Sequence, residues 1–273
     1  MAVSATTAEL IYREYMSFFE KAEKHRRWSI FDDIPWDKLD SCPRDPVLAR
    51  CAETFIGVEM YLPDYVGQGI NLMRDCFGRA WFMANWGYEE SKHALSLREY
   101  LRKSGQRTDE EIAAYERQIL GRQWNKPFAT QRQMTLYGII QELTTYVFYK
   151  KHKKMALDQG DEVLGAIYGF IARDEVAHFG FYAACSRVLL EEDRPGTLKD
   201  LAHVFRNFTM PAYDLVPDYD ERVKLMRTAG MDHRAFIAEV WLPALKAIGV
   251  SRAEVQGADK KPPADIAARG LGA

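Results

Sequence analysis

The chain has 273 residues, of which 47% are hydrophobic, 28% charged and 12% aromatic, a composition typical of a globular protein that buries a sizeable core. Its 37 Lys and Arg nearly balance its 39 Asp and Glu, which argues against nucleic acid or an anionic membrane surface as partner. No apolar run approaches the ~20 residues that cross a bilayer, and the first residues do not resemble a signal peptide. The cysteines are scattered without a Cys-x-x-Cys pair, so we expect a cytoplasmic protein without disulfides or a zinc site.

Apolar residues recur at helical spacing along most of the chain, and the alternating pattern of β-strands is missing. The sequence therefore predicts an all-α protein. Breaking and capping residues predict helices over residues 7–25, 46–73 with an interruption at Pro63, 77–104, 108–120, 128–158, 161–191, 197–208, 218–229 and 232–248. Four long helices joined by short connections predict a four-helix bundle with the shorter helices packed outside it. We expect one domain over residues 1–250, followed by a flexible tail over 251–273.

Two of the long predicted helices each contain a Glu-x-x-His sequence, Glu90–His93 and Glu175–His178. Because residues three apart share a helix face, each motif can present a carboxylate and an imidazole to one metal ion. Either motif alone is a weak signal, since Asp200–His203 has a similar spacing without such a context.

The other two long helices each place one Glu inside an apolar stretch, Glu59 in FIGVEMYLPDY and Glu142 in YGIIQELTTYVFY. A buried carboxylate is costly unless it is paired or bound to a metal. Four carboxylates with two neutral imidazoles balance the charge of two divalent cations, and oxygen and nitrogen donors suit iron or manganese. The predicted ligands are Glu59, Glu90, His93, Glu142, Glu175 and His178. The alternative is that the Glu side chains are solvated or salt-bridged and that the His side chains are hydrogen-bonded core residues. It would have to hold at all six positions.

Five segments make the sequence resemble the soluble acyl-acyl-carrier-protein desaturases of the ferritin-like di-iron carboxylate superfamily. They follow the family's order and are EMYLPDY (59–65), EESKH (89–93), QELTT (141–145), DEVAH (174–178) and MPA (210–212). The resemblance implies a ferritin-like bundle, a homodimer, and two iron ions. It also implies an enzyme that uses O₂ and electrons from a ferredoxin-type donor to remove two hydrogens from an acyl chain on acyl carrier protein.

The resemblance also suggests roles around the metals. It assigns Asp174 to orient His93 and Thr145 to relay a proton, and it matches Trp28 to a family tryptophan that is wired to the site. Glu89 lies one residue before Glu90, as Asp174 does before Glu175, so we expect Glu89 to bond His178. For Thr145, a simple hydrogen bond to the carbonyl of the preceding turn is the alternative.

Lys92 and Ala177 stand where the family often has Arg before each ligand His, and Met60 replaces a family Glu. These departures leave the predicted ligands unchanged but affect which substrate and which reaction outcome the resemblance implies. A hydroxylase or N-oxygenase therefore remains an alternative to a desaturase, and coenzyme A remains an alternative carrier. Iron storage and a metal-free interaction bundle are alternatives of other classes.

Two further features concern the substrate. Helical spacing predicts an apolar cavity beside the ligands, lined by Phe55, Leu62, Val66, Trp86, Ile139, Tyr146, Ile171 and Phe179. The basic run 150–154 continues the Glu142 helix beyond the metals, where an acidic carrier protein could dock. The alternative is a solvated helix end that complements the helix dipole.

Overall fold

The computed structural model describes residues 3–258, which are mostly helical and include no β-strand. The helices are α1 (Ala5–Lys21), α2 (Pro46–Glu59), α3 (Leu62–Met73), α4 (Phe77–Lys103), α5 (Asp109–Leu120), α6 (Gln131–Asp158), α7 (Glu162–Glu192), α8 (Arg194–Arg206), α9 (Tyr219–Met226), α10 (His233–Ala235), α11 (Leu242–Ala247) and α12 (Arg252–Ala258). The segment between α10 and α11, Phe236–Trp241, is π-helical, as is Ala22–Arg26 after α1. The predicted all-α class is confirmed.

Helices α4, α6 and α7 form three rods of the bundle, and α2 with α3 forms the fourth. The fourth rod is broken at Met60 and Tyr61, because Pro63 occupies the first turn of α3, where a missing N–H is tolerated. The Tyr65 hydroxyl donates to the Val58 carbonyl at 3.0 Å across the break. The predicted interruption is thus present, and it leaves Glu59 as the last residue of α2.

Side chains at the helix starts explain where the rods begin. Asp45 accepts hydrogen bonds from the first backbone amides of α2, Thr130 from those of α6 and Asp161 from those of α7. Gly160, with φ of 85°, makes the left-handed turn that reverses the chain between α6 and α7. These two helices then pack along most of their length, which sets Glu142 opposite Glu175.

Helix α1 packs outside the bundle, against α4 and α7, and α8 packs against α6. The tail predicted from residue 251 differs from the structure at its start. Residues Arg252–Ala258 form α12, which packs against α8 and buries Val255, so apolar contact orders this part. The rest of the predicted tail lies outside the described residues. Within the described range, no helix is long and apolar enough to cross a membrane.

Candidate metal centre

The structure brings the six predicted ligands together in the bundle core. They form two overlapping groups, Glu59, Glu90, His93 and Glu175 in the first, and Glu90, Glu142, Glu175 and His178 in the second. Within each group, one donor atom from every residue lies within 4.8 Å of the others. All six side chains are buried. Because Glu90 and Glu175 belong to both groups, two ions could share these two carboxylates.

Several oxygen and nitrogen atoms that could bind a metal in these groups have no hydrogen-bond partner among the described residues, although buried polar atoms normally have one. They are Glu90 Oε1, both carboxylate oxygens of Glu142, His93 Nδ1 and His178 Nδ1. The His93 Nδ1 atom lies 3.3 Å from Glu90 Oε2, and His178 Nδ1 lies 3.1 Å from Glu90 Oε1, which are ion-pair distances without hydrogen-bond geometry. Unsatisfied oxygen and nitrogen donors that converge in a buried space fit two divalent ions such as iron or manganese.

The opposite nitrogen of each imidazole contacts a second carboxylate. His93 Nε2 lies 3.4 Å from Asp174 Oδ2, and His178 Nε2 lies 2.7 Å from Glu89 Oε2. Both pairings match the predicted ones. In the neutral imidazole, an Nε2–H that donates to these carboxylates leaves each Nδ1 free of a proton and directed at the ligand groups, which is the tautomer that a metal requires.

The residues after α1 complete this outer layer of contacts. Trp28 Nε1 donates to Asp174 Oδ2 at 2.7 Å, which is the connection that the resemblance predicted for this tryptophan. The Arg26 guanidinium donates to both Glu89 and Asp174. Burial raises the pKa of Asp174, but the His93 hydrogen bond and the nearby cationic groups outweigh it and hold that pKa well below its usual range. Sequence reasoning missed Arg26, since a single Arg beyond a helix carries no spacing signal.

A second partner that the sequence did not reveal is Tyr149 on α6. Its hydroxyl donates to Glu59 Oε1 at 2.7 Å, and its ring stacks on Phe55 with centroids 4.2 Å apart. Burial raises the pKa of Tyr149 well above its ordinary value, which keeps the phenol protonated as a donor. Tyr149 lies two helical turns after Glu142 and so shares its face, a spacing that could have revealed it.

Burial and like charge shape the protonation of the metal-free cluster. Desolvation, followed by the charge of Glu90, raises the pKa of both Glu59 and Glu175 well above the ordinary value. Burial alone would lower the pKa of His93 and His178, but the neighbouring carboxylates outweigh it and raise both. The metal-free cluster therefore holds protons near neutral pH, which a metal has to displace.

Thr145 is half-buried, and its hydroxyl donates to the Gln141 carbonyl at 2.9 Å, the local bond considered as the alternative. The basic run 150–154 is not a uniform surface. His152 is buried, with Nδ1 2.8 Å from the Phe148 carbonyl, and Lys151 pairs with Glu239 at 2.8 Å. Lys150 and the last two lysines of the run are exposed.

A mostly apolar pocket lies between α3, α4 and α6. Its buried lining includes Tyr65, Met83, Trp86 and Tyr182, and the Trp86 ring centroid lies 6.3 Å from that of His178. The predicted lining was largely wrong, since Trp86 alone of the eight residues lines this pocket. Three of the others, Phe55, Ile139 and Ile171, are buried in the closed core. The remaining four are partly exposed, namely Leu62, Val66, Tyr146 and Phe179. Helical spacing identified inward faces but not where the packing leaves space.

Comparison with known proteins identifies the family. A family model described as fatty acid desaturase matches residues 60–237, which is more than half of the chain. The chain belongs to the fatty acid desaturase family. The match includes five of the six candidate ligands and begins one residue after Glu59.

Curated relatives of this chain include plant and bacterial proteins. Acyl-[acyl-carrier-protein] desaturase 4 of Oryza sativa is 33% identical over 133 residues, which are 48% of this chain and 32% of that protein. Stearoyl-[acyl-carrier-protein] 9-desaturase 2 of Arabidopsis thaliana is 29% identical over 156 residues, 56% of this chain and 36% of that protein. DesA1 of Mycobacterium tuberculosis is 24% identical over 245 residues, 81% of this chain and 71% of that protein. The alignments span about a third of the plant relatives' length.

Two solved structures similar to this chain share its fold. DesA2 of Mycobacterium tuberculosis superposes with a TM-score of 0.68 at 18% identity, covering 93% of this chain and 99% of that one. An R2-like ligand-binding oxidase of Sulfolobus acidocaldarius gives a TM-score of 0.55 at 13% identity and covers 92% of each chain. These matches confirm the predicted ferritin-like bundle.

Proposed function

We propose that this desaturase-family chain is an O₂-dependent di-iron oxidoreductase that introduces a double bond into an acyl chain carried on acyl carrier protein. The observation that carries the proposal is a buried cluster of unsatisfied carboxylate and imidazole donors directly beside an apolar pocket. The mostly apolar lining of this pocket suits an acyl chain. The names of the rice and Arabidopsis relatives supply the substrate class.

The proposed ligands of the two iron ions are Glu59, Glu90, His93, Glu142, Glu175 and His178. Manganese fits the same donors. When bound, the iron pair would supply activation of O₂ for hydrogen removal from an unactivated C–H bond. The protein's own part is to exclude water from the pocket with aromatic side chains such as Trp86 and Tyr182, and so to suppress side reactions.

The residues around the ligands have separate proposed roles. Asp174 and Glu89 hold the two imidazoles in the tautomer that presents Nδ1 to the centre. Thr145 lies one turn after Glu142, and its hydroxyl, which donates to the Gln141 carbonyl, has oxygen lone pairs that can accept a proton. We propose it as a proton relay on this basis and on the family resemblance.

We propose a homodimer, because α4 carries an exposed stripe of large apolar side chains on the side away from the metal ligands. Phe77, Trp81, Tyr88 and Leu95 are each at least half exposed, and the first two rings stack 4.0 Å apart. A second copy of the chain could cover this stripe. Trp81→Lys should then shift the protein from dimer to monomer in sedimentation equilibrium, whereas a monomeric wild type would refute the proposal.

The remaining partners follow from the reaction. A ferredoxin-type protein is the proposed electron donor, and acyl carrier protein, or alternatively coenzyme A, is the proposed carrier. We propose a cytoplasmic location. All four cysteines are free thiols, and reducing compartments keep cysteines in this state. We also propose that residues 1–250 act as a single domain.

Two measurements test the function. Metal analysis of protein reconstituted anaerobically with Fe²⁺ should find about two ions per chain, the number that balances four carboxylates. Mass spectrometry of acyl carriers incubated with enzyme, reductant and O₂ should show the loss of two hydrogens. A gain of one oxygen atom would instead identify a hydroxylase or N-oxygenase. One ion or none per chain would refute the metal site itself.

A further inference from the structure

The segment that follows α1 reaches the candidate metal centre from outside the bundle. Helix α1 gives way to the π-helical turn Ala22–Arg26, a geometry that often occurs at functional sites. This turn directs Arg26, which is only 9% exposed, into the space between α4 and α7. The Arg26 carbonyl accepts a hydrogen bond from Arg173 Nη2 at 2.8 Å, which fastens the turn to α7.

The Arg26 guanidinium joins the two carboxylates that orient the histidines. Its Nη1 donates to Asp174 Oδ1 at 2.6 Å and to Glu89 Oε2 at 3.0 Å, and its Nη2 donates to Glu89 Oε1 at 2.9 Å. These carboxylates contact His93 and His178 in turn. A continuous chain of contacts therefore runs from one histidine through Arg26 to the other.

The chemistry of this link requires a guanidinium. A planar fork with five N–H donors can bind two carboxylates at once, whereas a lysine ammonium acts as a point charge. Glu89 and Asp174 are nearly inaccessible to solvent, and buried carboxylates without a cation are strongly unfavourable. Arg26, with Arg27 as a further contact of Glu89, supplies that charge from a segment outside the four rods.

We propose that Arg26 is a positioning residue that fixes both histidines of the centre together. Metal affinity of the bundle then depends on the docking of residues 22–28. Binding linkage requires the reverse as well, so that metal binding stabilises the docked segment. The inference rests on the proposed function only in that the centre binds metal, and it requires no turnover.

The test uses Co²⁺ as the probe metal on the full chain. Affinity is measured by competition with a chelator, and the visible absorption of bound Co²⁺ reports the geometry of its donors. Arg26→Gln should weaken Co²⁺ binding by roughly 10- to 100-fold, the usual effect of losing an outer-layer partner, and should alter the spectrum. Arg26→Lys keeps the charge but not the fork and should give an intermediate affinity.

The matched control is Arg222→Gln. Arg222 is 3% exposed and pairs with Glu53 at 2.9 Å, so it is another buried guanidinium–carboxylate pair, formed with a carboxylate outside the centre. This variant should lower the melting temperature of the metal-free protein and leave Co²⁺ affinity and spectrum unchanged. Hydrogen exchange of residues 22–28 should slow when Co²⁺ binds to wild type, and slow less in Arg26→Gln.

The outcomes separate the two claims. A wild type that binds no Co²⁺ would overturn the proposed function and this inference together. A wild type that binds Co²⁺, with an Arg26→Gln variant of equal affinity and identical spectrum, would overturn the inference alone. If circular dichroism shows that Arg26→Gln does not fold, Arg26→Lys decides, since wild-type affinity in that variant would equally overturn it.

Discussion

The two halves of the candidate centre contain the same ligand pattern but are supported differently. In the first half, Glu59 ends α2 at a helix break, and its Oε1 accepts the Tyr149 hydrogen bond at 2.7 Å. In the second half, Glu142 lies in the middle of α6, and neither of its carboxylate oxygens has a hydrogen-bond partner among the described residues. The residue before it, Gln141, lines the apolar pocket.

This difference indicates that the two halves of the centre have different roles. A carboxylate that accepts a hydrogen bond from a phenol has a fixed orientation, whereas Glu142, whose Oε2 lies 3.4 Å from His178 Nδ1 without a hydrogen bond, is freer to reorient when a ligand arrives. The pocket lies against the second half, where Trp86 approaches His178. We therefore expect the first half to act as the anchored side of the centre and the second as the side where substrate and O₂ meet.

The largest expected effect comes from Glu142→Gln. The substitution removes a proposed ligand, so activity should fall by about 100-fold or more, as losses of catalytic groups commonly do. It also removes one of four carboxylates crowded into the core, where Glu142 Oε2 lies 3.4 Å from His178 Nδ1 without forming a hydrogen bond, so the metal-free protein should be as stable as wild type or more stable. Melting temperatures of both metal-free proteins at neutral pH check this. A clearly lower value for the variant would show that Glu142 is structurally paired, and we would withdraw it as a ligand.

Next in size is the pH dependence of the stabilisation by metal. In the metal-free fold the pKa values of Glu59, Glu175, His93 and His178 are raised, so the folded cluster binds more protons than the unfolded chain. These groups stabilise the metal-free fold below their ordinary pKa values, and this contribution is lost as pH rises through the raised ones. The pKa of Glu90 is lowered to about 2, so Glu90 stabilises the fold above the ordinary carboxyl pKa and this contribution is lost only as the pH falls towards 2.

Metal-free protein should accordingly lose stability from about pH 5 towards pH 8, while deprotonation of the ligands strengthens metal binding. The gap in melting temperature between metal-bound and metal-free protein should therefore widen with pH. Scanning calorimetry of both forms at matched ionic strength measures it. A gap that stays constant or narrows over this range would contradict the raised pKa values.

A smaller effect is expected at the residues that orient the histidines. Asp174→Asn should weaken metal affinity by roughly 10- to 100-fold, since an amide orients an imidazole less firmly than a carboxylate. Glu89→Gln should lower metal affinity at least as much, because Glu89 lies 2.7 Å from His178, whereas Asp174 lies 3.4 Å from His93. Glu53→Gln, at a buried carboxylate paired with Arg107 and Arg222, is the control and should leave affinity unchanged. Wild-type affinity in Asp174→Asn would show that the residue has no orienting role.

The sequence predicted which six side chains converge in the core because a helix converts spacing into geometry. Glu-x-x-His places two side chains on one face, and a lone Glu in an apolar stretch has few other uses. The same rule failed for the pocket, since packing between helices decides where space remains, and for Arg26, whose position depends on the docking of α1. The start of the predicted flexible tail differs for a similar reason, because Val255 is buried where α12 packs against α8.

The smallest predicted effect tests the anchored half directly. Tyr149→Phe removes the hydrogen bond to Glu59 and leaves the ring stacked on Phe55, so the free energy of unfolding should fall by about 1 kcal/mol. Metal affinity should fall a few-fold, since Glu59 loses its fixed orientation but remains present. Tyr168→Phe is the matched control, because the Tyr168 hydroxyl is buried without a partner among the described residues, and its removal should be neutral or stabilising. Equal metal affinity in both variants would mean that Glu59 is not anchored by Tyr149, and the contrast between the two halves would then reduce to the position of the pocket.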